Sequence, residues 1–213
     1  TRVDLLGLDI LMKNEGQVFV GRNLGNQQNF DLGMEMYFIK KDVFLEIIYD
    51  ALESADRNLN AAINNRLPRY KVMTYALSEE ILPIHSMQQY YNASLRILNP
   101  DYAQELFYRN GKIFTKVKDA PSTIYMKGSE VNNSLVANGC VIEGTVENSI
   151  IFRDVHIGKG AVVRNSIIFQ GGRIGEDAQI NFAILDKRAK VGDGKLLMGD
   201  GGLPYFVSKG ANL

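Results

Sequence analysis

Between about Val131 and Val191 an aliphatic or Phe residue keeps returning at every sixth position, among Gly, Asn and small polar residues. In the stretch VENSIIFRDVHIGKGAVVRNSIIFQ the beat falls on Ile151, Ile157, Val163 and Phe169. The phase then slips by one and resumes with Ile174 and Ile180 and with Leu185 and Val191, while Val136 and Ile142 keep the same interval upstream. A period of six is neither helical nor the simple alternation of a strand, and short fixed repeats of this kind mark parallel β-helices. One strand and one turn fill each hexad. Three hexads close a triangular coil, and the recurring apolar residue points inward onto its equivalent in the next coil. Gly158, Gly175 and Asn165 suit the corners, because a left-handed backbone costs an ordinary residue about 1–2 kcal/mol, whereas Gly adopts it freely and Asn can bond locally. No coil buries its inner face alone. The tail from Leu203 to Leu213, with Tyr205 and Phe206, is therefore expected to cap the last one.

The first hundred residues follow a different pattern. MEMYFI, Met34 to Ile39, predicts a buried strand, after which Asp42 can cap a helix that places Phe44, Ile47, Ile48, Ala51 and Leu52 on one face. A second strand is expected at Tyr70 to Ala76. Ser86-x-x-Gln89 then forms a capping-box pattern that opens a helix running to about Leu98, with Pro100 marking its end. Asp101 to Tyr108 could add a short helix, and Asn110-Gly111 and Lys116 to Ser122 read as turns into the β-helix. These features predict an α/β part over residues 1–118 and a β-helix over 119–213. The α/β part has few strands and contains neither G-x-G-x-x-G nor G-x-x-x-x-G-K. A domain cut from a longer chain is expected to account for both.

Composition narrows the function classes. Lys and Arg total 24 and so do Asp and Glu, which leaves no basic excess for nucleic acid. No apolar run reaches the roughly 18 residues of a membrane span and no signal peptide opens the chain, so a cytoplasmic location is expected. The single cysteine, Cys140, excludes an internal disulfide framework and falls inside a hexad, as a small buried side chain would.

The run from Asn132 to Gly192, with S-L-V-x-x-G-C-x-I-x-G-x-V-x-N-S, then I-G-x-G-A-x-V and I-L-D-K, resembles the C-terminal left-handed β-helix of bacterial ADP-glucose pyrophosphorylase (glucose-1-phosphate adenylyltransferase). Upstream, LGMEMYFIKKDVFLEII and ILPIHSMQQYYNASLRIL are similar to segments that carry catalytic chemistry in that family. The resemblance thus covers nearly the whole chain. It implies a left-handed hand for the coil and a nucleotidyltransferase-like (Rossmann-like) α/β fragment with linker helices ahead of it. In the catalytic members it implies ATP, glucose 1-phosphate and Mg²⁺, because phosphoanhydride exchange needs charged groups held in line by a divalent cation.

This sequence departs from the family at demanding positions. The metal-binding Asp of the family's W-x-D-V-G-T becomes Pro83, which cannot coordinate a cation, and the following Gly-Thr becomes His85-Ser86. The family's S-M-G-I-Y reads Gly33-Met34-Glu35-Met36-Tyr37, so a sugar-contacting Ser is lost and a carboxylate replaces a Gly. No E-K-P-type phosphate-binding Lys lies between Phe19 and Gln28. The pattern resembles the noncatalytic GlgD-type subunit, which implies association with a catalytic subunit, homo- or hetero-oligomers, and no catalytic, cofactor-binding or metal-binding residue in this fragment. An active pyrophosphorylase when full length is the alternative, and a trimeric hexapeptide acyltransferase is a second.

Several residues invite a sharper and a plainer reading. His156 could act as an acyltransferase base, but its neighbour Ile157 points inward, which makes His156 an outward surface residue. His85 lacks a carboxylate or Cys at metal spacing, and Ser86 already accounts for the local pattern as a cap. Lys187, Arg188 and Lys190, beside Asp186 and Lys195, could hold a phosphorylated effector; solvated β-helix edges rich in Lys and Arg are the plainer account. Tyr90 and Tyr91 read as packing residues rather than a base-stacking platform.

Overall fold

The structure is a computed structural model that describes residues 8–25, 30–77, 81–109, 111, 113–115 and 118–213. By contacts the chain divides into two compact units, Thr1–Ile81 and Leu82–Leu213.

The first unit opens with an antiparallel hairpin, β1 (Asp9–Asn14) and β2 (Gln17–Arg22), with β3 (Asp31–Leu32) on the other side of β1. Glu15 and Gly16 both take positive φ, 47° and 81°, the two-residue turn whose twist matches that of the flanking strands. Helices α1 (Lys41–Leu52) and α2 (Leu59–Asn64) follow. Their small core is Ile47, Ala62 and Ile63, with Val43, Ala51, Tyr37 and Ile39 packed against it. Two expectations are corrected here. Met34–Ile39 and Tyr70–Ala76 are irregular rather than strands, since neither acquires ladder partners among the described residues and an apolar run without a neighbour's N–H and C=O groups has no sheet to join. The cap of α1 is corrected too. Lys40 occupies the N-cap position with no side-chain bond, and Asp42 sits in the first turn, where its charge meets the helix dipole. Leu52, expected on the buried face, is exposed.

The second unit begins with α3 (Met87–Leu95), which continues as a 3₁₀ turn to Leu98 as the periodicity predicts. Ser86 Oγ accepts from Gln89 N–H at 3.1 Å, and Gln89 Oε1 accepts from His85 N–H at 2.7 Å. The capping box therefore closes one residue further out than its usual form. Pro100 opens the next helix, α4 (Pro100–Gln104), instead of only ending the last, and Asn99 caps it. Residues 105–109 add a π-helical turn. The turns expected at Asn110-Gly111 and from Lys116 fall partly outside the described residues.

From Ile124 onward the chain winds into a parallel β-solenoid of three five-stranded sheets. The first sheet stacks Ile124–Tyr125, Val141–Ile142, His156–Ile157, Arg173–Ile174 and Lys190–Val191. The second contains Val162–Arg164 and the third Ile167–Ile168, each flanked by equivalents in the neighbouring coils. Partners such as Ile157, Ile174 and Val191 lie seventeen residues apart, and Ile142 lies fifteen before Ile157. Three full hexads would need eighteen. The one residue missing from each seventeen-residue coil is the physical origin of the phase slip after Val163, and the coil from Ile142 to Ile157 is three residues short. The slip also corrects one inward position: Ile168 fills the core with Ile151 and Leu185, and Phe169 faces outward.

Two kinds of residue make the corners. Asn133, Asn148 and Asn165 occupy equivalent left-handed positions at φ 42°, 48° and 43°, and Phe182 takes the same place in the next coil at 50°. Gly158 and Gly175 are required for space rather than for φ. A Cβ on Gly175 would lie 2.5 Å from the Asp193 amide nitrogen, and one on Gly144 would lie 2.2 Å from the Ala161 carbonyl oxygen. Beside the Asn column, buried serines link coil to coil: Ser149 Oγ accepts from Ser166 N–H at 3.1 Å, and Ser166 Oγ accepts from Ala183 N–H at 3.1 Å. The tail expected as a separate cap instead extends the solenoid. Tyr205–Val207 pairs in parallel with Ala183–Leu185, and Lys190 bridges to Asn212.

Candidate functional site

The residues singled out by sequence fall in three places. In the first unit, Gly33 donates its N–H to the Asp9 carbonyl at 2.8 Å, and a Cβ there would approach that oxygen to 3.3 Å. Two residues on, Glu35 adopts a left-handed φ of 52°, a conformation uncommon for a residue with a side chain. Its carboxylate accepts from Asn60 Nδ2 at 2.5 Å, while Tyr37 donates its hydroxyl to Asn64 Oδ1 at 2.6 Å. Partial burial and the Glu35 charge push the Tyr37 phenol up. The segment Gly33 to Tyr37 is thus tied to β1 at one end and along α2 at the other, with a carboxylate held in place where the resembled family has a Gly.

The strongest polar centre of this unit is one that sequence reading missed. Arg66, buried, places Nη1 2.6 Å from Asp56 Oδ2 and 2.8 Å from the Ala62 carbonyl, with Nη2 3.2 Å from Ser54 Oγ. Hydrogen bonds from Ser54, Arg66 and Asn65 hold the Asp56 carboxyl down to about 2. The cluster fastens the loop after α1 to the end of α2. An Asp and an Arg ten residues apart in a loop form no recognisable motif, so only the fold reveals the pair.

In the second unit, Pro83 lies in the irregular run before α3 and His85 is exposed, its backbone N–H committed to Gln89. A proline offers no side-chain oxygen to a cation. Among the described residues no group of three or more His, Cys, Asp or Glu is placed to hold a metal ion. Helix α3 packs on the outside of the third sheet, where Tyr91 covers Ile167 and Ile184. The Tyr91 hydroxyl donates to the Asn165 carbonyl at the left-handed corner, and burial pushes its pKa up to about 12. Tyr90 continues an aromatic stack through Phe169 to Phe152, whose rings lie 4.7 Å apart. Both tyrosines are packing residues.

The solenoid places His156 on the outer face of the first sheet, as its inward neighbour requires. Its Nε2 lies 2.9 Å from Glu143 Oε1, and the pair lines a shallow hollow with Arg173 and Lys190. Lys190 is thus drawn to this face, while Lys187 and Arg188 sit at the adjoining corner, with Arg188 in a left-handed conformation. Cys140 is buried, its thiol donating to the Phe152 carbonyl at 3.1 Å, and burial pushes its pKa up. No helix among the described residues is long and apolar enough to cross a membrane.

Comparison with known proteins gives the same picture as the motifs. Residues 121–200 match the family described as GlmU-like, C-terminal hexapeptide. The glycogen biosynthesis protein GlgD of Bacillus subtilis (strain 168) is 39% identical over 127 residues, which is 60% of this chain and 37% of that protein. Its counterpart in Geobacillus stearothermophilus is 41% identical over 130 residues, 61% of this chain and 38% of that protein. The glucose-1-phosphate adenylyltransferase of Geobacillus stearothermophilus is 38% identical over 80 residues, 38% of this chain and 21% of that protein. The chain therefore spans less than two-fifths of the length of these relatives. Its similarity to GlgD proteins and glucose-1-phosphate adenylyltransferases bears out the resemblance to the ADP-glucose pyrophosphorylase family that its motifs carry.

Proposed function

We propose that this chain belongs to a noncatalytic, GlgD-type subunit of glucose-1-phosphate adenylyltransferase, acting in bacterial glycogen biosynthesis in the cytoplasm. In this reading it associates with a catalytic subunit that makes ADP-glucose from ATP and glucose 1-phosphate with Mg²⁺, and it alters that subunit's rate or its response to a phosphorylated effector. The observation that carries the proposal is the similarity to two GlgD proteins over about three-fifths of the chain. The residues support it. Pro83 has no ligand atom where a metal-binding Asp is expected, and Glu35 is fixed by Asn60 where a Gly would leave room for sugar. The chemistry needs a cation to neutralise the developing charge, and the side chain of Pro83 cannot help to hold one.

The test is ADP-glucose formation by the natural full-length protein that carries this sequence, alone and mixed with the catalytic subunit of the same organism. No activity alone, with an altered rate or effector response in the mixture, is the expected result. Robust activity alone, proportional to its own concentration, would overturn the reading. The His156–Glu143 pair favours a second reading, acyl transfer on a trimeric hexapeptide scaffold. Coenzyme A dependence that disappears in His156→Ala would establish that reading instead.

A further inference from the structure

Charge is sorted among the faces of the solenoid. At the corner between the third and first sheets, successive coils place Arg153, Gln170, Lys187 and Lys209 at equivalent positions: Gly171 N–H bonds the Arg153 carbonyl, Arg188 N–H that of Gln170, and Gly210 N–H that of Lys187. Beside this column, on the outer face of the first sheet, Arg173 and Lys190 are directly paired in register. Arg188 completes the group. Apart from Arg153, which is half-buried, these cations are exposed, and among the described residues none of the six forms an ion pair. The corner between the second and third sheets places Asn148, Asn165 and Phe182 at its left-handed positions, and the charges beside it, Glu147 and Arg164, pair with one another at 2.7 Å. The remaining corner mixes Lys159 and Lys195 with Glu176, Asp177 and Asp193.

Stacking like charges has a cost. Equivalent positions in adjacent coils are about 4.8 Å apart, and like charges directly opposite one another destabilise a sheet. Protection of a free edge accounts for lysines on terminal strands, but Arg173 lies on an interior strand with neighbours on both sides. Its guanidinium is also pre-set, since Nη1 donates to the Asp154 carbonyl at 2.6 Å. A chain with no net charge has thus gathered cations where they repel one another, an arrangement that an anionic partner would relieve.

We infer that this corner and the adjoining face of the first sheet form a docking surface for an acidic protein surface. Within the proposed function, on which the inference rests, that surface belongs to the catalytic subunit. The shape of the patch selects the class of partner. Small phosphorylated ligands are held in concave sites by partly buried donors, whereas Lys187, Arg188 and Lys209 are exposed on a corner of the coil, and the hollow lined by Arg173 and Lys190 is shared with Glu143, Glu176 and Asp193, which would repel a phosphate. Nucleic acid would demand a longer stripe than one interrupted by Asp154 and Asp186. An acidic protein face would be steered to the patch and its association would weaken as salt rises.

The experiment measures binding of the full-length protein to the catalytic subunit by surface-immobilised kinetics at 50 and 300 mM NaCl. The proteins are wild type, Lys187→Glu/Lys190→Glu, and a control, Lys159→Glu/Lys195→Glu, on another corner. Matching circular dichroism spectra and melts verify folding. The expected result is a drop of about tenfold or more in association rate and a shallower salt dependence for the first double variant only. If wild type binds and the two double variants behave alike, the docking surface is wrong while the proposed function stands. If wild type does not bind, the subunit reading fails and takes the surface with it. Binding of a labelled DNA duplex more tightly than the catalytic subunit at the same salt would overturn the choice of an acidic protein.

Discussion

At the residue scale the Asp56–Arg66 contact, 2.6 Å between Oδ2 and Nη1, is the most consequential polar pair of the first unit. Hydrogen bonds from Ser54, Arg66 and Asn65 lower the folded-state value of the Asp56 carboxyl from 3.8 to about 2. A depressed carboxylate adds stability that is fully present above its unfolded value and lost as pH falls towards the folded one. Asp56→Asn should therefore melt at a lower temperature than wild type at pH 6. The gap should close between about pH 4 and pH 2, the window set by those two values, as thermal denaturation followed by circular dichroism would show. A gap that persisted at pH 2 would mean that Asp56 acts by packing rather than by charge. The same scale explains Tyr91. Its ring covers two core isoleucines and its hydroxyl meets the carbonyl of a corner residue whose left-handed turn points that oxygen outward.

At the element scale the coil is governed by close backbone approach and not by strand propensity, because most of its strands are only two or three residues long. Gly144 makes the point. A methyl group placed 2.2 Å from the Ala161 carbonyl oxygen cannot be absorbed by a flexible side chain, since the obstacle is the backbone of the next coil. Gly144→Ala should cost about 1–3 kcal/mol, as overpacking does, read as a lower denaturant midpoint with an unchanged slope. Gly128, with open space around its Cβ position but φ of 89°, should respond through strain alone. The two glycines thus do different work within one repeat. Helix α3 shows the converse case, in which the capping box and apolar spacing that predict the element also fix the face it presents to the third sheet.

At the scale of the whole molecule, zero net charge conceals a segregated distribution. Lys190→Gln should raise the melting temperature at low ionic strength, by removing one member of the stacked Arg173–Lys190 pair. The gain should shrink at 1 M salt, where the screening length falls to about 3 Å. An equal gain at both salt concentrations would assign the effect to packing. The solenoid was legible in the sequence because each coil repeats the same inward aliphatic and the same left-handed corner, a local rule written many times over. Helix α3 was legible for a similar reason, its cap and stripe being contained in a dozen residues. The strands expected at Met34–Ile39 and Tyr70–Ala76 failed because a strand exists only when another segment completes its hydrogen bonds, which no local pattern reports. The sequence by itself determined the repeat, the inward residues apart from the slip at Ile168, the capped helix, and the unsuitability of Pro83 as a metal ligand. Only the tertiary structure decided that the slip is a coil one residue short, that Arg66 and Asp56 meet, and that scattered cations line one corner. Those outcomes depend on which distant residues become neighbours when the coils stack, and distance along the chain carries no such information.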